Sequence, residues 1–236
     1  MGGISPRVTN NIKASFDIGE IHREALDSNI INIVGEIIPS MQYTVSYYLL
    51  NMIGEELDKI AKKNFDELEP IKIYINSPGG DFYTSFAIAG IIESSTIPIY
   101  TYVTGDCASG AAYILMAGHK RYCFEISQIM LHSVQTGSFG TAAEMVEDIQ
   151  GRVKPLEATI VKHLQRHTDL TKDEIKFILT HDKYFTAFQA KKSGIVDDMI
   201  VPAFKNREQL KNILDKKKKK PVAKKKKTSK KQQKKG

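Results

Sequence analysis

The chain has few cysteines, no long apolar run and no nucleotide-binding loop, and each absence narrows what it can be. Its two cysteines, Cys107 and Cys123, fall in different expected elements and show no metal-ligand spacing. Neither a disulfide framework nor a cysteine-based metal site is therefore expected, and two reduced thiols in a cytosolic protein is the reading they support. No apolar stretch approaches the roughly 18 residues of a membrane span. Residues 1–15 are polar and lack the apolar core of a signal peptide. The expected compartment is the cytoplasm, without membrane contact. No GxxxxGK[ST] loop is present, so the chain has no phosphate cradle of that kind for ATP.

What is present is a domain and a strongly basic end. A length of 236 residues with 42% apolar content gives room for one domain of about 200 residues and an appendage. Thirteen of the 34 basic residues are lysines between Lys216 and Lys235, which leaves residues 1–215 with 21 basic and 27 acidic groups, near −6. The 216–236 segment holds no aromatic residue and no arginine. It has no base-reading chemistry, only a salt-sensitive attraction to phosphate or to any acidic surface. Its composition cannot bury enough apolar surface to order itself, so it reads as a disordered tail. A solvated tail, nucleic-acid contact and an acidic protein partner all fit it.

Along the domain the apolar periodicity alternates between strand and helix. After a flexible arm over residues 1–15, a strand is expected over 30–38 and a helix over 41–63, with Val45, Tyr48, Leu49, Met52, Ile53, Leu57 and Ile60 on one stripe. Strands follow at 72–76, 97–103, 121–124 and 129–132, with helices at 84–94 and 109–117. Glycine-rich turns stand at the strand-to-helix junctions. That order predicts an α/β protein with a mostly parallel sheet, whose ligand sites gather at the carboxyl ends of strands. The longest helical pattern, 141–166, carries a stripe from Ala142 to Leu164 that suits either its own domain or a second subunit. Pro155 inside it should kink or break the helix. A helix over 187–192 precedes a strand-like Gly194-Ile195-Val196, and a connector covers 204–215.

Three segments carry chemistry. Ser109 stands between Ala108 and Gly110 where a strand gives way to a helix. Small neighbours admit a substrate carbonyl, and the helix start favours a developing anion. The alternative role for Ser109 is a helix cap. A serine hydroxyl is a poor nucleophile without a base in hydrogen-bond reach. His132, which ends the apolar Ile129-Met130-Leu131, is the best candidate base, although a histidine there can also be a satisfied core residue. Gly79 and Gly80 follow Pro78 and let backbone N–H groups face open space, as an oxyanion hole requires. The N–H groups of Gly80 and Gly110 are the expected donors. For the orienting acid, the residues leave Asp182, Asp197 with Asp198, and Asp106 close to equal.

These residues together resemble the Clp protease proteolytic subunit, a serine peptidase family. The resemblance runs from about Phe16 to Val201. It rests on Tyr74-Ile75-Asn76-Ser77-Pro78-Gly79-Gly80, the Ala108-Ser109 turn, Lys120–Cys123 leading to Met130-Leu131-His132, Asp182–Ala187, Ala190 and Gly194-Ile195-Val196-Asp197. The resemblance implies Ser109 as nucleophile, His132 as base, Asp182 as acid, and Gly80 and Gly110 as oxyanion donors. It further implies the spiral of ββα units shared with crotonases, with 141–166 as a protruding handle helix. Two stacked heptameric rings would enclose the sites. Peptide bonds would be hydrolysed through an acyl-enzyme, with no metal or organic cofactor, and an AAA+ unfoldase partner would use the ATP. The pocket for that partner's loops would include Tyr74 and Tyr102, made more polar by Thr104. The chain departs from the family pattern at Gly110, commonly methionine, and over Ser133–Gly140, where Gln-Pro and a glycine pair are usual. Two other functions fit parts of the sequence: a non-proteolytic scaffold acting through the lysine tail, and a crotonase-type acyl-CoA enzyme.

Overall fold

The structure, a computed structural model, describes residues 28–63, 68–135 and 141–201. The N-terminal arm, the 204–215 connector and the lysine-rich 216–236 segment lie outside the described residues. So do residues 64–67 and the second half of the loop after His132.

Parallel strands β1 (Ile30–Val34), β2 (Ile71–Ser77), β3 (Ile99–Ala108) and β4 (Lys120–Phe124) lie side by side, with β7 (Asp198–Ile200) outside β4. Burial alternates along β2 and β3, because a strand points successive side chains to opposite faces. Ile71, Ile73, Ile75, Ile99 and Val103 are fully buried beneath the helices. The opposite face carries a row of tyrosines. Tyr74 stacks on Tyr102 with centroids 4.8 Å apart, and Tyr102 on Tyr122 at 5.0 Å.

β3 is longer than the expected 97–103 strand because it serves two neighbours. Its first half pairs with β4, and its last residues, Asp106–Ala108, pair with β5 (Gln128–Leu131). β5 in turn pairs antiparallel with β6 (Lys183–Thr186). The sheet thus turns a corner at the end of β3, where the site lies. The strand expected at 194–196 is a turn instead, with Gly194 at φ 67°, and β7 follows it. The mixed α/β architecture, a parallel sheet under helices, is the one expected.

Helix α1 (Pro39–Ala61) buries Val45, Leu49 and Met52. The expected stripe fails at its end. Leu57 and Ile60 are exposed, and Glu56 is buried in their place. Its carboxylate accepts from Asn29 Nδ2 at 2.8 Å, Lys59 Nζ at 2.6 Å and the Glu69 N–H at 3.2 Å. α2 (Phe82–Ser94) is capped by Asp81, which accepts from the Thr84 N–H. α3 (Gly110–Met116) is buried along its whole length.

Pro155 does not break its helix. α4 (Ala142–Asp148) continues into a π turn (Ile149–Val153) and then α5 (Lys154–His167), with αR dihedrals at both joints. The π turn lies just before Pro155, where the proline lacks the N–H that would continue the ladder. Ile160 and Leu164 are buried, whereas Met145, Val146 and Ile149 are exposed. Only the second half of the stripe packs on its own domain. α6 (Lys172–Ile178) and α7 (Ala187–Lys192) complete the described chain, each opened by a Thr capping box.

Candidate active site

Ser109 occupies the sharp turn between β3 and α3. Its backbone has φ 55° and ψ −124°, a strained conformation for a residue with a Cβ. Its N–H donates to the Met130 carbonyl at 2.9 Å, and its side chain does not cap the helix. The capping role is therefore not the one it plays. The Oγ instead lies 2.6 Å from His132 Nε2. The β3–β5 pairing produces this contact by setting Ala108 opposite Met130. Tyr113 Oη donates to the His132 carbonyl at 3.3 Å and pins the strand end that carries the imidazole.

The loop after β2 faces the same turn. A Cβ on Gly79 would lie 2.7 Å from Ser109 Cβ and 2.9 Å from the Gly110 nitrogen. Only glycine permits this approach, and its φ of 92° also favours glycine. Gly80 is held by a bridge to Ile37, whose carbonyl accepts from the Asp81 N–H at 2.8 Å. Among the described residues, neither the Gly80 nor the Gly110 N–H is engaged in a hydrogen bond. Both stand beside Ser109, as the sequence led one to expect. A cleft of about 590 Å³ opens there, walled by Phe82, Val134, Leu156 and Ile160 with Ser109 and His132 at its base.

The acid candidates separate. Asp197 is bound to Arg121 through the Arg121 N–H at 2.8 Å and Nη2 at 2.6 Å. Asp198 pairs with Lys191 at 2.6 Å. Asp106 is exposed on β3. Asp182 immediately precedes β6, and one step past the Leu131–Lys183 rung the antiparallel register sets it across from His132. It is exposed, and no hydrogen bond joins it to His132 among the described residues. The structure brings serine and histidine into contact and the aspartate to the neighbouring strand end. Cys107, two residues from Ser109, is fully buried. Burial, aided by Asp106, pushes its thiol far up, so it is no rival nucleophile.

Comparison with known proteins bears on the same residues. The model of the Clp protease family matches residues 20–203. The chain belongs to the Clp protease family. It is similar to the ATP-dependent Clp protease proteolytic subunit 3 of Frankia casuarinae, 36% identical over 56% of this chain and 62% of that protein. It is also similar to proteolytic subunit 2 of Corynebacterium efficiens, 34% identical over 58% and 70%. A third relative is the proteolytic subunit of Pleurastrum terricola, 34% identical over 56% and 68%. The matched part thus spans about two thirds of these relatives.

Proposed function

We propose that this chain is a serine endopeptidase that hydrolyses peptide bonds through an acyl-enzyme. The observation that carries the reading is the 2.6 Å contact between Ser109 Oγ and His132 Nε2 on a strained strand-to-helix turn. His132 Nε2 takes the Ser109 proton as Oγ attacks the carbonyl carbon, and the proton then passes to the leaving amine. The free N–H groups of Gly80 and Gly110 receive the oxyanion. Asp182, across the β5–β6 register, accepts from His132 Nδ1–H once that pair closes, and so fixes the tautomer with a bare Nε2. Water, activated by His132, releases the acyl group.

Stacked heptameric rings in the cytoplasm, fed by an AAA+ unfoldase, complete the proposal. The tyrosine stack offers such a partner an aromatic surface. Thr104, expected to make that surface polar, donates its hydroxyl to the Ile75 carbonyl at 3.2 Å. The lysines of 216–235 would add a salt-sensitive contact to nucleic acid or an acidic partner. The test is hydrolysis of a short fluorogenic peptide by the full chain and by Ser109→Ala. The variant should lose at least ~10⁴-fold in kcat. Equal cleavage by both would overturn the proposal.

A further inference from the structure

A second cluster of chemically able side chains lies away from the cleft, where α2 ends against α5. Glu93 closes α2, and His163 and His167 stand one turn apart on α5. Glu93 Oε1 lies 3.1 Å from His163 Nδ1 and 2.8 Å from His167 Nε2. One ligand atom from each residue falls within 4.8 Å of the other two. The absence of a metal was only what the resemblance to the Clp protease family implied, and the sequence singled out neither histidine.

The hydrogen bonding within the cluster leaves one contact open when both imidazoles are neutral. His163 Nε2 lies 3.1 Å from the Tyr113 carbonyl. A carbonyl only accepts, so Nε2 carries the hydrogen. In a neutral ring Nδ1 is then a bare lone pair, and it points at a carboxylate oxygen that is also only an acceptor. His163 is only 6% exposed, and a cation set between Nδ1 and Oε1 would relieve the conflict. His167 can satisfy its own contact by donating from Nε2. Arg166 Nη1 sits on Glu93 Oε2 at 3.1 Å, which leaves Oε1 to the two imidazoles. Arg121 Nη1 donates to the His167 carbonyl, not to its ring.

We propose that Glu93, His163 and His167 bind a divalent transition-metal ion of the zinc class. Two imidazoles and one carboxylate are a zinc donor set, and bonds of about 2.0–2.1 Å place tetrahedral ligand atoms about 3.4 Å apart. The observed 2.8 and 3.1 Å separations need to open by only a few tenths of an ångström. Metal-bound histidines characteristically donate their second ring N–H to a backbone carbonyl or carboxylate, and the Tyr113 carbonyl already fills that role for His163. Water completes the coordination from the solvent side of Glu93. The ion's role is structural, clamping the end of α2 to α5.

The test uses tag-free full-length protein, stripped with a chelator and equilibrated with Zn²⁺ or Co²⁺. The expected result is one Zn²⁺ per chain, a visible absorption band on Co²⁺ substitution, and a Tm that climbs with Zn²⁺ concentration. Glu93→Gln and His167→Gln, both at partly exposed positions, should each weaken Zn²⁺ binding by at least ~100-fold. His132→Ala should bind as the unaltered chain does, which separates this cluster from the cleft. Absence of retained Zn²⁺, or binding unchanged by both cluster substitutions, overturns the site. The outcome is independent of whether Ser109 proves to be a nucleophile.

Discussion

Gly110 stands where an added methyl group would meet one specific atom, so the cost of the substitution can be both assigned and removed. A Cβ there would overlap Ser85 Oγ and lie 3.2 Å from Ser85 Cβ. Ser85 is fully buried, and its hydroxyl donates to the Asp81 carbonyl at 2.8 Å. In Gly110→Ala the hydroxyl must turn away, which combines overpacking of ~1–3 kcal/mol with loss of a hydrogen bond near ~1 kcal/mol. The helix preference for alanine over glycine returns about 1 kcal/mol, so the net cost is about 2 kcal/mol. Ser85→Ala alone loses that bond. The Asp81 carbonyl keeps the Ser85 N–H at 3.1 Å, and the cost is about 1 kcal/mol. In the double variant the obstructing oxygen is gone, the hydrogen bond is lost only once (~1 kcal/mol) and the alanine preference of about 1 kcal/mol remains, so the total should be near zero. The two substitutions are thus coupled by about 3 kcal/mol. Urea unfolding at fixed protein concentration reads this as midpoints at constant slope. If the double variant loses the sum of the two, about 3 kcal/mol, the obstruction is not Ser85 Oγ and the reasoning fails. Gly80→Ala offers a contrast. Its Cβ would overlap the Ile37 carbonyl, a backbone atom, at φ 147°, so no side-chain change can rescue it.

Two further outcomes follow from the geometry. Ser109→Gly and Ser109→Ala both remove the hydroxyl, but only glycine accepts φ 55° without strain. The glycine variant should be more stable by about 1 kcal/mol in the same urea assay, and an alanine variant of equal or greater stability would show the turn to be unstrained. Burial pushes the Glu56 carboxyl up, and the hydrogen bonds from Lys59, Asn29 and the Glu69 N–H outweigh it, leaving the pKa below the ordinary value. A depressed folded pKa gives stability that is complete above the unfolded value, near ~4.3, and is lost as pH falls through the folded one. Glu56→Gln should therefore cost about 2 kcal/mol at pH 7, and the gap to the unaltered chain should narrow by pH 3. A gap that widens in acid would refute this account.

What could be read from the residues was whatever depends on near neighbours. Ser109 between two small residues, the Gly79-Gly80 pair after Pro78 and His132 after an apolar run all carry their chemistry within a few positions. The alternation of strand and helix placed them at strand ends. What could not be read depends on partners distant in the chain. Asp182 comes across from His132 only through the β5–β6 pairing, and the ion pairs of Asp197 with Arg121 and Asp198 with Lys191 join residues that the sequence does not link. Glu56 is buried because Asn29 and Glu69 arrive at its carboxylate, a demand that no helical stripe records. His163 and His167 are four residues apart, a visible spacing, but their carboxylate comes from Glu93 on another helix. Pro155 does not end its helix, and the π turn that precedes it is not announced by the local sequence.

The two halves of the proposed triad are held with unequal firmness, and this locates the motion that its chemistry needs. Ser109 is fixed from three sides: its N–H on Met130, Gly79 packed against its Cβ, and a wholly buried α3 behind it. His132 is fixed at its backbone by Tyr113 Oη. Tyr113 also receives the His163 N–H on its carbonyl, so the base is tied through one residue to α5 and to the Glu93 cluster. Asp182 has no comparable anchor. It is exposed, lies just outside a short strand, and reaches His132 through no hydrogen bond among the described residues. Local opening is drawn from segments with few buried contacts. In the proposed mechanism, then, the serine turn stays still, and the start of β6 moves to close the aspartate on the imidazole.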